Sequence, residues 1–177
     1  MSAGELTVDP DSGLLRGARQ VPSPNADERP PGCEPELIVV HGISLPAGEF
    51  GGPWIEALFT NQLDPAAHPS FGELAALRVS AHLLIRRGGE LVQSVPVTKR
   101  AWHAGLSRHC GRERCNDFSI GIELEGAETV PYTAEQYTRL AQVVEALRRW
   151  APSLRPAPIV GHSDIAPGRK SDPGPAF

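Results

Sequence analysis

A chain of 177 residues that is 40% hydrophobic can bury one core without disulfide staples and is too apolar to be disordered. Its net charge of −4, with no basic stripe, suits neither nucleic acid nor an anionic membrane surface. No stretch approaches the ~20 apolar residues that span a bilayer, and the opening MSAGELTVDP has neither a basic nor an apolar signal region, so a cytoplasmic location is expected. Cys33, Cys110 and Cys115 are an odd set with no second pair to complete a sulfur metal site, and plain thiols are expected.

Residues 1–34, with Pro22, Pro24, Pro30 and Pro31, read as an extended N-terminal arm, and residues 35–177 as one domain. Leu37-Ile38-Val39-Val40-His41 is a short β-branched run, the composition of a buried strand. A loop through Pro46, Gly48, Gly51 and Gly52 follows, and Pro53 can open a helix carrying Trp54, Ile55, Leu58 and Phe59. Residues 80–85 and 90–95 flank Gly88-Gly89 as a hairpin.

Ser119 to Glu125 alternates, with Ile120, Ile122 and Leu124 on one face and Gly121, Glu123 and Glu125 on the other. Thr133 and Gln136 form a capping box before Tyr137, Leu140, Ala141, Val144 and Leu147 at helical spacing, and Pro152 follows the end. A last strand, Pro158 to Gly161, delivers His162. The order β, α, ββ, β, α, β predicts an α/β (α+β) single domain, a mixed sheet flanked by helices.

His41 and His162 follow predicted strands, and Asp172 lies in the Pro/Gly-rich tail. Two imidazoles and a carboxylate suit zinc and leave a fourth position open. With no local spacing to support a ligand set, histidines after strands are more often hydrogen-bonded core or loop residues. Glu123 has two readings as well. A carboxylate against an apolar wall is suited to proton transfer, whereas one on a half-exposed strand is simply solvated.

Longer blocks carry more. Val39-Val40-His41-Gly42-Ile43-Ser44-Leu45-Pro46, Gly48 to Trp54, Leu77 to His82, Ala101-Trp102-His103-Ala104-Gly105, Gly111 to Gly126, Gly161 to Pro167 and Lys170 to Phe177 resemble the zinc N-acetylmuramoyl-L-alanine amidase family. Within it they are most similar to the enzymes acting on 1,6-anhydro-muropeptides in bacterial cell-wall recycling. The resemblance runs from about Gly17 to Phe177. It implies a zinc amidase-like fold, a Zn2+ ion held by His41, His162 and Asp172, and Glu123 and Lys170 as catalytic residues. It places Arg78, Trp102 and Arg114 at substrate-binding positions.

The implied substrate is an anhydro-muropeptide, cut between the lactyl group of the muramic acid and L-alanine by a cytoplasmic monomer that needs no nucleic acid or membrane. A non-catalytic peptidoglycan-binding module and a periplasmic amidase acting on intact wall are the alternatives. His68, His82, His103 and His109 match no ligand position. His82 is expected to make a core hydrogen bond, His109 to lie in a solvated loop, and His103 to line the site behind the ligands. Two features depart from the family: Gly42 stands where Asn is common, and such chains usually continue a short way beyond the position of Phe177.

Overall fold

A computed structural model describes residues 5–177. Its central sheet uses β1 (Arg19–Gln20), β2 (Leu37–Ile43), β3 (Leu83–Ile85), β4 (Leu91–Gln93), β5 (Ser119–Glu125) and β6 (Ile159–Gly161). The helices are α1 (Trp54–Phe59), α2 (Phe71–Leu74), α3 (Ala134–Trp150) and α4 (His162–Ile165). Across the sheet the order is β6-β2-β5-β3-β4-β1, and every neighbouring pair is parallel except the β3–β4 hairpin. This is the mixed sheet with helices that the alternation of elements predicts.

The site-bearing strands β2 and β5 are covered on both sides, as are β3 and β4, whereas the edge strand β6 is partly open. All seven residues of β5 are buried, as are Leu37 to His41 of β2. One face packs Ile38, Val40, Ile120, Ile122 and Leu124 against Leu140, Val143, Val144 and Leu147 of α3. Full burial of each such side chain is worth roughly 1.5–3 kcal/mol. The α3 helix starts on the expected capping box, with Gln136 N donating to Thr133 and the Gln136 side chain accepting from Thr133 N.

The opposite face is divided. Leu84 and Val92 pack under α1 and Phe71, while Leu37 and Val39 pack against Ala104, Cys115, Phe118 and Ile165. Parallel register sets Glu123 beside His41 and Gly121 beside Val39. Side chains of in-register neighbours share a face, so His41 and Glu123 emerge together on this second face, at the C-terminal ends of their strands.

The N-terminal segment, expected to be extended, is also stitched in. Leu6 and Leu15 join the core, Arg19–Gln20 extends the sheet beside β4, and Ala26–Asp27 pairs with Arg100–Ala101. Arg29 inserts its guanidinium among the carbonyls of Val97, Asn116, Asp117 and Ser119. The short α2 carries no periodicity long enough to be legible in the sequence, and His162, delivered by β6, opens a helical turn.

Candidate active site

Three elements bring the site together. His41 lies on β2, His162 opens α4 directly after β6, and Asp172 sits on the tail that returns across both. The tail is pinned there because Ser163 N donates to the Asp172 carbonyl at 3.0 Å. His41 Nδ1 is 2.9 Å from His162 Nδ1, and Asp172 Oδ2 is 3.4 Å and 3.2 Å from those two nitrogens. Among the described residues these three form a cluster whose donor atoms all lie within 4.8 Å of one another.

The far nitrogens have partners that leave the near ones free to act as ligands. His162 Nε2 is 3.2 Å from the Ala104 carbonyl, which can only accept, so Nε2 carries the proton and Nδ1 a lone pair. His41 Nε2 is 2.9 Å from His103 Nδ1, and His103 Nε2 is 3.0 Å from Ser119 Oγ. In the tautomer where His41 donates to His103 and His103 to Ser119, His41 Nδ1 also presents a lone pair to the cluster.

Burial keeps His41 and His103 neutral. It pushes His41 down to about 4 against the pull of Asp172, and His103 well below the usual imidazole range. In that tautomer two nitrogen lone pairs and a carboxylate oxygen face one another. Three converging acceptors repel, and a cation resolves that repulsion. Oriented imidazoles whose other nitrogens are tied down are what a zinc ion requires, so the residues present fit the group.

Glu123 is buried beside this cluster, and no donor reaches its Oε2. Burial, reinforced by Asp172 and opposed by Lys170, raises its carboxyl well above the ordinary value. The solvated-strand reading of this residue is therefore excluded. Both faces of a central parallel strand are covered, so alternation leaves no wet side. Lys170 is exposed, yet its charge is felt by both Glu123 and His41.

The N-acetylmuramoyl-L-alanine amidase family model matches residues 31–175. This chain belongs to the N-acetylmuramoyl-L-alanine amidase family. It is similar to the 1,6-anhydro-N-acetylmuramyl-L-alanine amidase AmpD of Escherichia coli K12, at 64% identity over 94% of this chain and 91% of that one. AmpD of Haemophilus influenzae is 47% identical over 96% of this chain and 92% of its own length. Among solved structures, a crystal structure of an AmpD derivative superposes with a TM-score of 0.91 at 62% identity, covering 94% of this chain and 93% of that one.

Within this amidase the other sequence-derived candidates lie outside the cluster. The Arg78 guanidinium folds back onto the carbonyls of Ala75 and Leu77. Trp102 Nε1 donates to Asp27 at 3.2 Å, and the exposed Arg114 pairs with Asp117 at 3.3 Å. Arg100 joins these last two contacts by binding Asp27 and Asp117 at once.

His82 accepts from Gly121 N at 3.0 Å and faces the Lys99 carbonyl at 2.9 Å, the core hydrogen bonds expected of it. His103 stands behind His41, and its ring fills the space where a Cβ on Gly121 would be. That close approach is why position 121 is glycine. Sequence reading missed Ser119, which ends the histidine chain, and Tyr132, which reaches the tail beside Asp172. Neither has a local signal, since each acts through a partner remote in sequence.

Proposed function

We propose that this chain is a zinc-dependent amidase that hydrolyses the bond between 1,6-anhydro-N-acetylmuramic acid and L-alanine in muropeptides released during cell-wall recycling. The observation that carries the reading is the convergence of three acceptor atoms beside a buried carboxylate oxygen with no partner. The substrate class is supported by relatives named for that bond and, at 31% identity, by a Pseudomonas aeruginosa structure in complex with anhydromuramic pentapeptide.

His41, His162 and Asp172 would hold the ion. Zinc, when bound there, supplies Lewis acidity toward the scissile carbonyl and acidifies a water molecule. Glu123 takes the proton of the attacking water on its free oxygen and returns it to the departing amine of L-alanine. Its unpartnered oxygen is free to take the proton, and a base that then becomes an acid serves both halves of the reaction. Lys170 places its ammonium where negative charge develops on the carbonyl oxygen. Arg78, Trp102 and Arg114 contact the sugar and peptide.

No helix among the described residues is long and apolar enough to cross a membrane. A diffusible anhydro-muropeptide met in the cytoplasm by a single chain is consistent with that. The test is kcat/KM for anhydro-muramyl tripeptide against the ordinary muramyl tripeptide, with products identified by mass spectrometry. A pocket fitted to the bridged sugar discriminates by roughly 10²- to 10⁵-fold. Equal values, or rapid release of peptides from intact sacculi, would overturn the substrate assignment.

A further inference from the structure

We infer that Tyr132 is a positioning residue for the metal site, holding Asp172 in place, and that Gly42 is glycine in this chain to make room for it. The inference rests on the zinc reading above and concerns residues that bind neither the ion nor the substrate.

The argument starts from two chain neighbours of ligands. Gly42 follows His41, and Pro173 follows Asp172. The buried Tyr132 hydroxyl donates to the Pro173 carbonyl at 2.8 Å. That same hydroxyl occupies the space beside Gly42, where an added Cβ would overlap it and touch Pro173 Cα at 3.4 Å. One oxygen thus lies where the β2 end and the returning tail meet. The Gly42 amide points to Asp172 Oδ2 at 3.4 Å, so the two ligand segments also touch directly.

Tyr132 is itself immobilised. Its ring stacks edge-on to Phe177 with centroids 5.8 Å apart, and it precedes Thr133, the cap of α3. The segment leading to it clasps the tail a second time. Ala176 N donates to the Glu128 carbonyl at 3.1 Å, and Ser171 Oγ donates to the Glu128 carboxylate. Asp172 has no regular secondary structure around it, unlike His41 on a central strand and His162 on a helical turn. Its position therefore depends on the Ser163 amide bond to its own carbonyl and on these side contacts, of which the Tyr132 bond is the buried side-chain one nearest the ligand.

A hydroxyl that fixes a ligand segment should act on metal affinity, and loss of such outer contacts typically costs 10- to 100-fold. Tyr132→Phe removes one oxygen and keeps the ring packing. Gly42→Ala keeps the hydroxyl but drives it off Pro173. Both variants should bind zinc about 10- to 100-fold more weakly in competition with a chelator. In the Tyr132→Phe background Gly42→Ala should cost little more, because the overlapping atom is already gone.

Tyr132→Phe should lower the melting temperature of the metal-free protein by no more than the loss of one buried hydrogen bond, while its rise on adding zinc should shrink. A merely structural tyrosine would lower the metal-free value and leave that rise intact. Parental zinc affinity in Tyr132→Phe, or strictly additive losses in the double variant, would overturn the inference. His162→Ala serves as the control. If it retains full zinc affinity the metal assignment itself fails, whereas loss there with parental affinity in Tyr132→Phe removes the clamp alone.

Discussion

The two groups of functional candidates are held by different physics. At the strand ends His41 and His162 are almost fully buried, and each ring nitrogen away from the cluster has a defined partner. Arg78 and Arg114 instead are exposed, tied by backbone carbonyls or a surface ion pair with the Arg114 side chain 70% accessible. Buried hydrogen bonds in a low dielectric are strong and costly to break, whereas exposed pairs are worth ~0–1 kcal/mol and are screened by salt. The metal side is therefore organised before substrate arrives. The arginine side can change partners when substrate does.

That contrast can be broken from the buried side first. His162→Ala removes one of three ligands, so zinc should be lost and hydrolysis should fall to background; elemental analysis with an activity assay checks both. Glu123→Gln keeps shape but cannot take a proton. Turnover should drop about 10²- to 10⁴-fold with zinc content unchanged. Lys170→Ala should likewise spare the metal and cost about 10²- to 10³-fold in kcat. Parental rates in either variant would leave that residue without a catalytic role.

A pH series probes the same buried region through stability. Burial, reinforced by the Arg29 charge, pushes His82 down to about 3, while in the unfolded chain it titrates near 6.5. The unfolded state thus binds a proton that the native state refuses. Stability is complete above about 6.5 and falls as pH drops toward 3, by up to about 1.4 kcal/mol per pH unit for this group. Denaturant unfolding of His82→Gln should show a less stable protein with a flatter dependence between pH 6.5 and 5. An unchanged slope would place the acid sensitivity elsewhere.

The exposed side should give the smallest effect. Arg114→Ala should raise KM by about 5-fold, the equivalent of ~1 kcal/mol, with kcat nearly unchanged and the effect shrinking in high salt. A large fall in kcat would show that this side is as organised as the metal side. The contrast would then fail.

Local order was legible in the chain. The β-branched run of β2, the alternation of β5 and the Thr133–Gln136 box each act within a few residues, where backbone sterics and capping operate. The family blocks carried the candidate ligands, catalytic pair and substrate residues by resemblance. What the alternation of β5 could not say is whether its polar face is wet. That was decided by the segments packed on that face, the His103 ring over Gly121 and the tail carrying Asp172 and Lys170, where Glu123 is buried with one oxygen lacking a partner.

The convergence of His41 and His162, 121 residues apart, was likewise a matter of strand order, as was the histidine chain ending at Ser119. Gly42 shows the division most clearly. In the sequence it is a missing side chain beside a ligand. In the fold it is the space that the Tyr132 hydroxyl fills, because residues distant in the chain compete for one close-packed volume that no local pattern records.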